Sequence, residues 1–502
     1  MTISRPVCFW AGCAAISAGV LLHLPMLAMA HAMGNHLAGM QVDGAMIAGM
    51  GAIALGVPLA SFGAIPRAGL QHKIPNRTTF EAPDDTPLNR WHALTLMTLT
   101  LALIIDTMKP ATLGFVLPGL RREYGVPMST AALLPLVALV GTTIGSFVWG
   151  WLADAYGRRV SIMLSTILFV ATSICGAMPG FAWNLAMCFV MGLSAGGMLP
   201  VVYALLAELM PPRHRSWVLV FVGGTGLVGG LLAASVAAWL FEPAYGWRVL
   251  WLQGFPTGLL LLALAPLIPE SPRFLAEQGE QHRLSCLAAR FGIVAVDGAV
   301  VAGCSPNRRT GLMLALTLAA LAWSLINFGV LLWLPNDLES RGFSPALASG
   351  ILTQSALLAL PVIVAVAALY SRWSAKWTLV GTMMVSLAGL IGALLPPDMI
   401  GSDIVLFTTV AMLVAGTNGL IAVLLPYTAE NYPLGLRGRA TGLVAGSSKF
   451  GGVAVQVGAL LGLVPTLAGF AAVIAAPMTV AAGLVAWFGR ESRGRSLRDL
   501  EN

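Results

Sequence analysis

Apolar runs long enough to cross a bilayer recur from one end of the chain to the other, broken by short turns where Gly, Pro and charged residues collect. A spanning helix needs roughly 20 apolar residues, and the pattern predicts fourteen. Two lie near 7–30 and 44–65, followed by a polar, Pro-containing linker over 66–91. A core of twelve then runs 92–116, 130–153, 161–179, 182–209, 216–241 and 247–268, and after a break 311–335, 345–370, 376–395, 402–428, 439–463 and 464–487. The expected organisation is a two-helix extension (1–65), the linker (66–91), a six-helix half (92–268), a central loop (269–310), a second half (311–487) and a tail (488–502).

Composition removes soluble classes: 57% of residues are hydrophobic, 10% are charged, and mean hydropathy is +0.83. The fold class is an all-α polytopic membrane protein. Lys and Arg are retained on the cytoplasmic side of short loops. With both termini cytoplasmic, 22 of the 28 cations fall on that side. Arg121, Arg122, Arg248 and Arg341 fall outside, while Lys109 and Lys449 lie within spans. That asymmetry explains the net charge of +7, which is therefore no argument for nucleic-acid binding. The six cysteines show no metal-ligand spacing and predict no disulfide framework.

The core repeats internally. Glu208, Pro211, Arg215, Gly224 and Gly229-Gly230 recur in the same register as Glu430, Pro433, Arg437, Gly446 and Gly451-Gly452. Leu117-Pro118 and Gly125 are echoed by Leu334-Pro335 and Gly342. Two related halves follow from this.

Between the second and third core spans the chain reads Gly150-Trp-Leu-Ala-Asp154-Ala-Tyr-Gly157-Arg158-Arg159, which resembles the loop signature of the major facilitator superfamily. Pro269-Glu270-Ser271-Pro272-Arg273 resembles a motif of its sugar-porter and related metabolite families, and Glu491 is a weak echo of the acidic motif after their last helix. The resemblance covers about 92–500. It implies a twelve-helix fold, here with two extra N-terminal helices, a substrate site at midplane between the halves, and alternating access.

The loop motifs read as a gate. Asp154 can pair with Arg158 or Arg159 or sit at a helix N-terminus, where the dipole favours an anion. Gly150 and Gly157 are expected to allow close helix approach. Glu208 with Arg215, and Glu430 with Arg437, offer a latch in each half; the resemblance extends that role to Glu270 and Arg273. The loop Ser371–Lys376 has lost the Asp and both glycines, which predicts a weaker latch.

Charges inside spans carry the functional reading, since each costs about 2.5–3.5 kcal/mol to insert on translocon scales. Asp106 and Lys109 stand three apart on one helical face, as a proton-coupling pair or a static ion pair. Lys449 lies ten residues beyond Arg439, so roughly 15 Å deep, and the repeat has Leu227 in its place. It resembles the basic residue of organic-acid symporters and implies a carboxylate-binding cation; the alternative is a cation bonded to carbonyls or paired with Asp106 across the bundle. Asn327, Gln354, Asn418 and Gln456, with Trp323 as an apolar wall, are candidates to complete the pocket. The resemblance places an Arg where this chain has Cys188, and the 322–327 segment lacks the Gln-rich pattern of sugar porters, so an organic anion is favoured over a sugar.

His23, His31, His36 and a run of Met residues in the extension admit copper or ordinary helix packing; a signal-peptide reading of residues 5–30 is the further alternative. The chain is expected to be a secondary transporter and not an enzyme, with no cofactor and no resident metal. Its partners are a small, anionic substrate, protons and the lipid bilayer, in a bacterial inner membrane and as a monomer. A proton-driven exporter, a sugar transporter and a copper-linked protein are the alternatives.

Overall fold

The structure, a computed structural model, describes residues 5–66, 78–83, 85–297, 306–395, 403–432, 434–463 and 467–491; a few side chains at the ends of these stretches lie outside the description. Among the described residues, fourteen helical spans are long and apolar enough to cross a membrane. In chain order, with the short helices that interrupt the series, they are α1 (Arg5–Ala32), α2 (Gly44–Ala64), α3 (Arg90–Tyr124), α4 (Met128–Tyr156), α5 (Arg158–Ala177), α6 (Phe181–Leu209), α7 (Pro212–Tyr245) and α8 (Trp247–Leu267). After two short helices, α9 (Pro272–Glu277) and α10 (Gln281–Phe291), come α11 (Thr310–Ser340), α12 (Pro345–Arg372), α13 (Ala375–Ala393), α14 (Ile404–Asn431), α15 (Arg439–Leu460) and α16 (Gly469–Phe488). The spans comprise twelve core helices, α3–α8 and α11–α16, preceded by the two-helix extension α1–α2.

The halves meet mainly along α7 against α12 and α4 against α15. Glycine makes the packing inside the first half possible: a Cβ on Gly226, Gly229 or Gly230 of α7 would sit 2.6, 2.7 or 2.1 Å from Leu103, Ile104 or Thr107 of α3. Backbones that approach this closely gain dispersion and short polar contacts in lipid, where no hydrophobic force drives helices together. The Thr107 hydroxyl duly donates to the Gly226 carbonyl at 2.9 Å.

The extension packs as a hairpin on α5. Its own seam is built the same way, for a Cβ on Gly12 would lie 2.3 Å from the Ala60 nitrogen. Phe9, Cys13, Ile16 and Val20 then join Leu164, Ile167 and Val170 in one apolar cluster. Met26 and Met46 pack with Leu37 in a second, and His23 bonds the Gly19 carbonyl through Nδ1. The turn between α1 and α2 is tied to the core through Glu123, whose Oε1 accepts from the backbone N–H groups of Leu37 and Ala38 and pairs with Arg248 at 2.7 Å. The core-helix pattern has no counterpart to this clamp.

A second unforeseen element joins the linker to the central segment. Thr78–Glu81 (β1) pairs antiparallel with Val294–Asp297 (β2), Thr78 opposite Asp297. Both stretches read as loop from sequence.

Candidate functional site

Asp106 is placed by the crossing of α3 over the glycine run of α7. Pro110, four residues on, has no N–H to give the Asp106 carbonyl, so a polar backbone atom is released beside the carboxylate. The side chain is 4% exposed, and its Oδ1 has no hydrogen-bond partner. From the other half, Lys449 of α15 is the charge that acts on Asp106, and Asp106 the charge that acts on Lys449. Lys449 is half-buried where Asp106 is enclosed. A buried carboxylate is costly unless a cation or proton accompanies it, and here the cation arrives from the opposite half.

Lys109 does something else. Its ammonium turns into the first half and donates to the Phe169 carbonyl and, at 2.8 Å, to Thr172 Oγ1. It lies over the Phe169 ring and beside the thiols of Cys175 and Cys188. The spacing of three does not produce the expected Asp106–Lys109 pair, because both partners find other company on either side of α3. Where the resemblance has an Arg at position 188, this chain has a thiol under the charge of Lys109 from α3.

Around Lys449, Gly451 and Gly452 allow α15 to lie against α11: their would-be Cβ atoms come within 2.8 Å of Ser324 and 2.6 Å of Phe328. At that contact α11 relaxes into a π-helical turn, Ile326–Leu331. Such turns leave backbone groups without their regular partners and recur at functional sites. Trp323 precedes this turn and half-buried Asn327 lies in it, and the Trp323 indole N–H has no hydrogen-bond partner among the described residues.

The structure places three other expected pocket residues apart from this turn's open face or in other bonds. Gln456 is fully buried, with Nε2 donating to the Phe328 carbonyl at 2.9 Å and Oε1 accepting from Trp333 Nε1 at 3.2 Å, so it satisfies the π turn. Asn418 donates back to Val414 in its own helix. Gln354 is exposed on the same stripe of α12 as Leu357, Leu358 and Val364, which faces away from the protein. Periodicity at single polar residues could not have separated these faces.

The loop motifs assemble on one end of the molecule, the basic face. Arg158 bonds Glu208 at 2.9 Å, and Ser271 donates to the other oxygen of that carboxylate, so Glu208 takes these two as partners in place of Arg215. Asp154 reaches Arg158 only at 3.9 Å and is 81% exposed, an ion pair worth little. Glu270 caps α5: its Oε1 accepts from the N–H groups of Arg158, Arg159 and Ser271. Burial pushes the Glu270 carboxyl up from its ordinary range, and those three N–H bonds oppose the shift. Gly157 makes room, with φ +99° and a would-be Cβ 2.5 Å from Glu270 Oε2. Gly150 has open space where its Cβ would be, so close approach is not its role. Arg273 pairs with Glu277 on the surface.

The second half repeats the cap. Glu491 accepts from the Ala375 N–H at 2.9 Å and from the Ser374 hydroxyl at the start of α13. The latch expected to be weak at Ser371–Lys376 thus keeps a carboxylate, Glu491, which sequence marked as a weak motif echo and which follows Glu270 at nearly the spacing of the repeat. Glu430 accepts from Ser216 across the halves at 2.6 Å and from Tyr370 at 2.7 Å. The side chain of Arg437 lies outside the described residues. On the opposite face Arg121 donates to Asn336 at 2.6 Å and Arg122 pairs with Glu339 at 3.5 Å, both across the halves.

Comparison with known proteins agrees with this architecture. The model of the Major Facilitator Superfamily matches residues 99–456, more than half of the chain. The niacin transporter NiaP of Acinetobacter baylyi is 26% identical over 74% of this chain and 88% of its own. The 4-hydroxybenzoate transporter PcaK of the same organism is 30% identical over 40% of this chain and 44% of its own, and a gallate transporter of Pseudomonas putida 32% over 42% and 47%. Among solved structures, the Escherichia coli xylose transporter XylE in a partially occluded inward-open conformation superposes with a TM-score of 0.66 at 16% identity, covering 81% of this chain and 100% of that one.

Proposed function

The chain belongs to the major facilitator superfamily, and from that premise we propose that it is a proton-coupled symporter of a small aromatic carboxylate. It is a multi-pass membrane transporter and not an enzyme. What supports the finer reading is an enclosed carboxylate, Asp106, with an unpartnered oxygen, under the electrostatic influence of Lys449 from the other half. A carboxylate substrate competes with Asp106 for the Lys449 ammonium. As the substrate binds, Asp106 loses its counter-charge and takes a proton, so the site fills with one anion and one proton together. Trp323 and the π turn of α11 supply an aromatic wall, and Asn327 a polar contact. Niacin, gallate and 4-hydroxybenzoate, the named substrates of three relatives, each carry one carboxyl on an aromatic ring.

The same scheme places the basic face in the cytoplasm of a bacterial inner membrane, with both termini inside, and the halves rocking in a monomer. The domain limits in this scheme are those read from the sequence, with 92–268 and 311–487 as the moving halves.

The test is uptake of labelled aromatic and aliphatic carboxylates and of sugars into proteoliposomes. Uptake of an aromatic carboxylate, reduced about tenfold or more in Lys449→Ala as expected for a lost charge-assisted bond, supports the reading. Sugar uptake alone, or unchanged carboxylate uptake in the variant, overturns it.

A further inference from the structure

A crevice of about 270 Å³ opens on the basic face between the first turn of α3, the Pro266–Glu270 stretch, the start of α5 and one side of α10. Three guanidinium groups and an imidazole line it: Arg159, Arg283, Arg290 and His282. Glu270 is the acidic residue on the wall, and its Oε1 is already taken by three backbone N–H groups. Arg159 feels Glu270 and also the like charge of Arg283, while its Nε is buried without a hydrogen-bond partner. Arg283 holds Glu280 at 2.6 Å, but both are exposed, so that pair neutralises little. Among the described residues the partner of the Arg290 guanidinium is the Trp91 ring, 4.6 Å away, and Arg90 lies over the same ring at 5.3 Å. Positive charge collected this closely calls for an anion.

Position and lining select the anion. Trp91 and the end of α8 mark the level where spans meet water, the preferred depth of tryptophan. Beside the cations the wall is apolar, with the buried side chains of Ile268, Leu287 and Phe291. Cations beside an apolar wall match a phospholipid headgroup with its chains, and basic pockets between spans on the cytoplasmic side hold such groups.

We propose that this crevice binds the phosphodiester of an anionic phospholipid of the cytoplasmic leaflet, with Arg159, Arg283 and Arg290 as its ligands. The bound lipid ties α10 to the α5 cap and so braces the loop motif in the first half. The leaflet rests on the orientation given above; the binding does not, and its readout is independent of transport.

The experiment uses the full chain and phosphatidylglycerol. Native mass spectrometry of the purified protein, titrated with phosphatidylglycerol or phosphatidylcholine, should show selective retention of phosphatidylglycerol. In Arg283→Gln/Arg290→Gln that retention should fall several-fold, while Arg283→Lys/Arg290→Lys keeps most of it because a point charge still binds phosphate. Cys286, exposed in the crevice, gives a second reading: peptide-resolved alkylation should slow several-fold in phosphatidylglycerol nanodiscs relative to phosphatidylcholine, in the wild type and not in the Gln variant. Unchanged retention in the Gln variant overturns the proposal. Equal protection of Cys286 by millimolar inorganic phosphate in phosphatidylcholine nanodiscs overturns the lipid as ligand and leaves a soluble-anion site.

Discussion

At the scale of single residues, what matters is which way a charged side chain turns. Asp106 and Lys109 are one helical turn apart, yet Asp106 is under the charge of Lys449 while Lys109 is absorbed by Phe169 and Thr172. Their roles should separate accordingly. Asp106→Asn is expected to abolish the rise of carboxylate uptake at acidic external pH, because the proposed proton-accepting group is gone; Lys109→Met is expected to keep that rise, since Lys109 holds α3 to α5. Uptake ratios at two external pH values read both, and a pH response lost in Lys109→Met but kept in Asp106→Asn would reverse the assignment. Sequence placed all three charges in spans. It could not aim them, because spacing fixes a face of a helix and not the neighbours that face will meet.

At the scale of elements, caps and glycines set the geometry. Gly157 and Gly150 look alike in the motif, but one sits at positive φ against Glu270 and the other in open space. Gly157→Ala should therefore destabilise the protein by about 1–3 kcal/mol, the usual magnitude for a strained backbone position, whereas Gly150→Ala should leave the melting temperature unchanged. Thermal unfolding in detergent distinguishes them, and an equal drop for both would show that the cap has no special demand. The carboxylate caps at Glu270 and Glu491 were half legible: the first lay in a specific motif, the second in a weak echo of one. The π turn of α11 and the work of Gln456 in satisfying it left no periodic trace, since a single inserted residue per turn does not disturb an apolar run.

For the whole molecule, the count of spans, the two related halves and the extension were all readable, because a bilayer demands long apolar runs and repeats preserve glycine and charge landmarks. The contacts between distant parts were not. The clamp of Glu123 on Arg248 and on the α1–α2 turn joins residues far apart in sequence, as do β1 and β2. Glu123 and Arg248 are almost fully enclosed, so removing one strands the other; Glu123→Gln is expected to cost about 3–5 kcal/mol and to release the α1–α2 turn to protease before the core unfolds. Simultaneous loss of both would contradict a clamp confined to the extension. Bonds between halves stand on both faces, Arg121 with Asn336 on one and Ser216 with Glu430 on the other, so alternating access must break one set at a time.

The central claim is that one proton and one carboxylate share the Asp106–Lys449 site. Its most direct test is proton movement driven by an aromatic carboxylate gradient in proteoliposomes, followed with an internal pH dye and compared between wild type and Asp106→Asn. Internal acidification in the wild type, absent in a variant that still exchanges labelled carboxylate, is the predicted result. Equal acidification in both would contradict the account and place the coupled proton elsewhere.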